Sequence, residues 1–198
     1  TDADSLAETL GYPVVVKPAK LGSSIGVRVA RGSAALKSAL SFAFGLDDSA
    51  VVERYFERKR DINCAAYRRR GKVLLSPCEE VFSGGDVLSF SEKYEQGKGS
   101  KLPADLPESL AERIRGYTKT LYEAFGMQGV VRADFLVSGD DAYFNELNMV
   151  PGSLAGYLFG SSLAEVKAFY LSLIDEALSR PVVRKRIIHT GILEGPLF

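Results

Sequence analysis

The chain carries one histidine, two cysteines and no surplus of either charge, with 25 basic and 25 acidic side chains among 198 residues. Each scarcity removes a class of function. His189 has no second histidine to work with, which argues against a histidine-based metal centre or catalyst. Cys64 and Cys78 stand far apart and in no CxxC spacing, so neither a disulfide framework nor a zinc site is expected. Both fit as small, half-buried residues of a reducing compartment. A balanced charge gives no reason to expect nucleic acid or an anionic membrane as partner. No apolar run reaches the ~18 residues of a membrane span, and Thr1-Asp2-Ala3-Asp4 is acidic rather than signal-like. The expected place is the cytoplasm.

Residues 1–198 suffice for one domain of two lobes or two small domains, with roughly 70% of the unfolded surface buried. No internal repeat is visible. Residues 5–10 read as the end of a helix closed by Gly11. Val14-Val15-Val16 is a buried strand by its β-branching, which Pro18 ends at Lys17. Val27-Arg28-Val29 returns, Ser33 reads as the N-cap of a helix through Leu36, Ala39, Leu40 and Ala43, and residues 50–53 form another strand. Residues 61–68 and 72–76 read as a hairpin whose basic tip, Arg68 to Lys72, is a solvated turn. Residues 83–105 form a long polar loop of the kind that is usually functional. Pro107 opens a helix with Leu110, Ile114, Tyr117, Leu121 and Phe125 on one face, stopped by Gly126. Ser162-Leu163-Ala164-Glu165 is a capping box for a last helix through Val166, Phe169, Leu173 and Ala177. The order βββ-α-β, then ββ-α-ββ-α, predicts an α+β fold of two lobes across a cleft. The smaller lobe is placed at 1–54, the larger at 55–181, and a tail at 182–198.

The richest stretch runs from Val131-Arg132-Ala133-Asp134 to Asn145-Glu146-Leu147-Asn148-Met149-Val150-Pro151-Gly152. It has the alternation of two strands joined by a tight turn. Arg132 and Asp134 then share one face, as do Glu146 and Asn148. A loop of three residues, Gly139 to Asp141, sets Asp134 opposite Glu146 and Arg132 opposite Asn148. Three hard oxygen ligands then converge beside one fixed cation, which suits Mg²⁺ together with phosphate oxygens.

Gly22-Ser23-Ser24-Ile25-Gly26 offers backbone N–H groups and two hydroxyls able to close over phosphates. It lacks the Lys-Ser/Thr ending of a P-loop. Lys17 ends an apolar strand, where a charge is costly unless an anion meets it. From composition, Lys93 in the long loop is an ordinary solvated lysine. Glu53 and Asp61 bracket Tyr55-Phe56, which serves either an adenine and its ribose or merely the link between lobes.

Taken together, Val14 to Pro18, Gly22 to Gly26, Val52-Glu53-Arg54-Tyr55, Glu92-Lys93-Tyr94 and the acidic hairpin through Pro151-Gly152 resemble the ATP-grasp part of D-alanine–D-alanine ligases. The likeness covers roughly residues 5–180. It implies an ATP-grasp fold with ATP between the lobes, two Mg²⁺ (or Mn²⁺) ions, amino-acid substrates and room for a homodimer of the full-length protein. It implies an acyl phosphate attacked by an amine, for peptidoglycan precursor synthesis. By the same resemblance Lys17 contacts the α/β phosphates and Lys93 the γ-phosphate, while Ser23 and Ser24 close over them. Glu53 takes the adenine amine beside Tyr55 and Phe56, and Asp61 the ribose. Asp134, Glu146 and Asn148 hold the metals; Arg132 and the Gly152 N–H face the oxyanion.

Three departures stand out. The family's N-terminal domain and upstream nucleotide lysine are absent from these residues, so the chain reads as a C-terminal portion. By itself it is expected to be a nucleotide-binding module that does not ligate. Asp61 stands where glutamate is usual. Ser153 to Phe159 has fewer hydroxyls than the family uses for the second substrate's carboxylate, which leaves open another amine or a hydroxy-acid acceptor.

Overall fold

Three consecutive valines make the centre of the first sheet. In the computed structural model, which describes residues 3–82 and 99–181, β1 (Val14–Pro18) lies between β2 (Arg28–Ala30) and β3 (Ala50–Arg54), antiparallel to both. The strand alternates. Val14 and Val16 face Leu36, Ala39 and Ala43 of α2 (Ser33–Phe44) and Ala7 of α1 (Ala3–Leu10). Val15 and Lys17 face the other way, into a cleft. Gly11, at φ +76°, ends α1 as expected. Gly32 rather than Ser33 caps α2, and Ser33 is its first helical residue. The order is α-β-β-α-β, one strand short of the expected three before the helix.

The second sheet runs β7 (Ser100–Lys101), β6 (Glu79–Val81), β4 (Arg60–Arg69), β8 (Val130–Ser138) and β9 (Asp141–Asn148), with β5 (Lys72–Leu75) also on β4. β4 is its middle, and Ile62 to Tyr67 are buried without interruption, because elements cover both faces. It turns into β5 through Arg70-Gly71, both at positive φ, as a two-residue hairpin loop requires. Arg69 and Arg70 are exposed there, a solvated tip as anticipated. β6 pairs with β7, so residues 100–101 belong to the sheet rather than to the long loop. Cys64, on β4, and Cys78, just before β6, are free and buried, not half-buried.

α3 (Glu108–Ala124) packs on this sheet through Leu110, Ile114, Thr118 and Tyr122. Steps of four form an inclined ridge, and the ridge drifts away from the expected Tyr117 and Phe125, which are exposed. Thr118 is tolerated in the core because its hydroxyl donates to the Ile114 carbonyl at 2.9 Å. After a turn at Gly152–Leu158, α4 (Leu163–Leu178) seats Phe169 against Tyr67 and Phe159. No helix among the described residues is long and apolar enough to cross a membrane.

The capping box of α4 is present in full, with the Ser162 hydroxyl accepting from the Glu165 N–H and Glu165 accepting from the Ser162 N–H. The Ser162 and Ser161 N–H groups, then their hydroxyls, pull the Glu165 carboxyl from 4.5 down to about 2. A depressed carboxyl stabilises the fold above its unfolded value and ceases to do so as pH falls through its folded value. Thermal unfolding of wild type and Glu165→Gln is therefore expected to differ by a constant margin above pH 4.5, and that margin closes as pH approaches 2. A margin that persists unchanged to pH 2 contradicts this account.

Candidate functional site

The acidic hairpin is β8 (Val130–Ser138) and β9 (Asp141–Asn148). Asp134 faces Glu146 and Arg132 faces Asn148, as expected, but by a different route. The turn has two residues, Gly139-Asp140, with Ser138 opposite Asp141 and Gly139 at φ +60°. Phe135 therefore pairs with Phe144, and the register shifts between Phe135 and Asp134. Asn145 is the extra residue of a β-bulge. Consecutive side chains of a regular strand point to opposite faces, yet Asn145 and Glu146 both line the cleft. The bulge thus adds a polar group to the ligand face, and the Asn145 Oδ1 accepts from the Lys17 ammonium at 3.4 Å.

Arg132 forks onto both oxygens of Asp134, at 2.7 Å and 2.8 Å. Burial works to lower the Arg132 guanidinium, but the hydrogen bonds and charge of Asp134 outweigh it and raise it. Asn148 turns its amide nitrogen to Asp134 at 2.8 Å and to Glu146 at 3.4 Å. Two carboxylates against one guanidinium leave a unit of negative charge. A half-turn of the Asn148 amide would replace its donor with an acceptor, so the three residues make an all-oxygen set that fits a divalent hard cation. No group of three or more acidic, cysteine or histidine side chains suited to a metal occurs among the described residues. Any cation here would need oxygens from water or ligand to complete its shell, as Mg²⁺ does in phosphate sites.

The opposite wall comes from the first sheet. Lys17 pairs with Glu53 at 2.7 Å, so the lysine predicted for phosphate and the carboxylate predicted for adenine are joined to each other here. Gly22-Ser23-Ser24-Ile25 is a turn with both serines left-handed, φ 55° and 58°, closed by the Ile25 N–H on the Gly22 carbonyl. Gly22, Ser23 and Ser24 line the cleft. Gly26 does not; at φ +78° it packs on Pro18 and Leu46, where a Cβ would come within 2.8 Å of both.

Tyr55 and Phe56 line the cleft where the sheets join, and they lean opposite ways. Tyr55 donates its N–H to Pro13 and lies under Arg31, whereas Phe56 packs on Tyr143 of β9, ring centroids 4.6 Å apart. Asp61 also reaches the cleft, with its carboxylate held by Lys59 at 2.8 Å. Gly152 sits at the floor beside Pro151, at the start of the turn in which Ser153, Leu154 and Ala155 are all left-handed, φ 49°, 47° and 52°. Three such non-glycine residues in a row store strain, which concentrates at working sites. Lys93 lies outside the described residues, as does the tail 182–198 with His189.

Sequence reasoning missed Glu79, Asn63 and Tyr157 on the same cleft. Glu79 is 4% exposed. It accepts from Asn63 Nδ2 at 3.3 Å and from the Tyr157 hydroxyl at 3.0 Å. Burial, then the charge of Glu79, pushes the Tyr157 phenol up to about 12, so it stays a donor at neutral pH. An acid inside the apolar-flanked run Pro77-Cys78-Glu79-Glu80-Val81 was the available signal.

A cleft of about 610 Å³ lies between a glycine–serine turn and a lysine on one sheet and the acidic hairpin on the other, in a fold of the ATP-grasp class. Residues 2–179 match the family model for the D-ala D-ala ligase C-terminus, and the chain belongs to that family. It is 36% identical over 196 residues to the D-alanine--D-alanine ligase of Thermosipho africanus, covering 94% of this chain and 53% of that protein. It is 37% identical over 153 residues to that of Sulfurovum sp., covering 76% and 44%. Among solved structures, it is similar to D-alanine-D-alanine ligase from Helicobacter pylori, with TM-score 0.65 at 28% identity over 86% of this chain and 48% of that one. It is also similar to the VanG D-Ala:D-Ser ligase from Enterococcus faecalis, with TM-score 0.66 at 25% identity over 88% and 51%. The chain spans about half the length of the curated relatives it matches.

Proposed function

We propose that the complete protein is an ATP-dependent carboxylate–amine ligase that forms a D-alanyl-D-alanine-type dipeptide for peptidoglycan precursors in the cytoplasm. The observation that carries this reading is the convergence of Asp134, Glu146 and Asn148 on one cleft with Lys17 and the Gly22-Ser23-Ser24 turn. Family membership supports a ligase over a nucleotide-binding module without catalysis. The proposal includes small-molecule amino-acid substrates and a homodimer of the complete protein, the latter open to a sedimentation measurement.

Asp134, Glu146 and Asn148 would hold two Mg²⁺ ions, and Lys17, Glu53, Tyr55, Phe56 and Asp61 the nucleotide, with Lys93 completing the phosphate contacts. Bound ATP and its metals supply the phosphoryl group that turns a carboxylate into an electrophile. The chain's own part is positional and electrostatic. Arg132, kept charged by Asp134, and the Gly152 N–H present donors where negative charge grows during amine attack, a contribution of about 3–4 kcal/mol for one such donor elsewhere. Ser23 and Ser24 close the cleft against water, which would otherwise compete with the amine.

Phosphate release by the complete protein, with ATP and Mg²⁺, is expected to depend on added D-alanine and to yield a dipeptide. Nucleotide-binding protein that releases no phosphate with D-alanine, D-serine or D-lactate would sink the proposal.

A further inference from the structure

Glu79 is a buried carboxylate on the cleft that makes no direct ion pair among the described residues; Arg132 lies beyond it, on the far side of the Tyr157 hydroxyl. The two donors to Glu79, the Asn63 amide and the Tyr157 hydroxyl, are both neutral and both fall on Oε2. No donor among the described residues reaches Oε1. The residue is 4% exposed and its accessible edge opens into the cleft. Burying a charge without a counter-charge is unfavourable, and neutral hydrogen bonds recover only part of the loss. Asp134 has Arg132, Asp61 has Lys59 and Glu53 has Lys17, each on its own side of the same cleft. Glu79, more deeply buried than these, has only neutral donors and lies beside Tyr157, near Arg132 and the Gly152 turn.

We infer that Glu79 receives the ammonium group of the acceptor amino acid, and that it selects amine acceptors over hydroxy acids. This rests on the ligase reading and deepens it. An α-amino acid brings the missing positive charge. A hydroxy acid of the same shape brings only a neutral hydroxyl and leaves the carboxylate uncompensated, so the site rejects it. Tyr157 sets the geometry. Protonated at neutral pH, it donates to Oε2 and leaves Oε1 free to accept from a ligand.

The test uses the complete protein. Glu79→Gln preserves shape and an acceptor oxygen while removing the charge. It is expected to raise the acceptor KM for D-alanine by about tenfold or more and to leave the KM for ATP within about twofold. Its preference for D-alanine over D-lactate should fall by a similar factor, and Glu79→Asp should recover part of it. In unaltered protein, D-lactate should inhibit D-alanine use at least about tenfold more weakly than an amine-bearing D-alanine analogue does; this arm stands even if the variants fold poorly. An unchanged D-alanine KM in folded Glu79→Gln, or equal inhibition by the two analogues, overturns the inference. Wild-type protein that releases no phosphate with any acceptor instead overturns the ligase reading itself, so the two failures are distinguishable.

Discussion

Asp134→Ala in the complete protein is expected to lower D-alanine-dependent ATP turnover by about 10³-fold or more, a loss at least as large as removing one oxyanion donor elsewhere. Two losses compound. The substitution removes a carboxylate from an all-oxygen set that has only two. It also frees Arg132, whose fork now rests on both Asp134 oxygens, to swing away from the face it shares with Asn148. The same change should weaken the fold. The pair is mostly buried, with side chains 20% and 14% exposed, so Ala leaves a guanidinium without its partner. Breaking such a pair costs about 3 kcal/mol, or roughly 6–12 °C in Tm for a chain of this size. Turnover kept within a few-fold in a folded Asp134→Ala protein would remove the hairpin from the chemistry.

Tyr122→Ala should have the largest effect on stability alone. The ring is fully buried, against Ala66 of β4 and Val131 of β8. Its hydroxyl donates to the Gly129 carbonyl at 2.9 Å, one residue before β8 begins. Truncation of a buried aromatic costs about 3–5 kcal/mol from cavity and transfer terms, and the Gly129 carbonyl loses its donor as well. Thermal or denaturant unfolding of Tyr122→Ala should show that drop, whereas Tyr122→Phe, which removes only the hydrogen bond, should lose about 1 kcal/mol. Equal losses in the two variants would mean that the ring packs far less tightly than its burial indicates.

Much of the site was legible because alternation is a strong signal. Arg132 and Asp134 were placed on one face, and Glu146 and Asn148 on one face, from period-two spacing, and an assumed three-residue loop set them opposite their actual partners. The pairing came out right through two offsetting differences, a turn one residue shorter and a bulge one residue longer. Nothing in Asn145 announces a bulge, since the pattern Phe144-Asn145-Glu146 reads equally well without one. Glu79 was illegible for another reason. Its role depends on Asn63 and Tyr157, distant in sequence and joined only by the β4–β6 pairing and the turn after Gly152. In the helices, the capping box at Ser162 was readable because its two bonds are local. The buried row of α3 was readable at Leu110 and Ile114 but not beyond, because which of two adjacent ridges faces the sheet is settled by the sheet, through Thr118 and Tyr122 rather than Tyr117 and Phe125.

The aromatic pair at the junction has a mechanical meaning. Tyr55 is fastened to the first sheet and Phe56 to the second, so a tilt of one sheet on the other pivots at the bond between them. β1 begins near this pivot, with Val14 beside Arg54, and ends at Pro18 beside Ala50, with the serine turn beyond. That lever is roughly 13 Å long at ~3.3 Å per residue, so a tilt of about 10° carries the turn some ~2 Å and the pivot hardly at all. A purine resting on Tyr55-Phe56 would keep its seat while the opposite end of the cleft swings open for exchange.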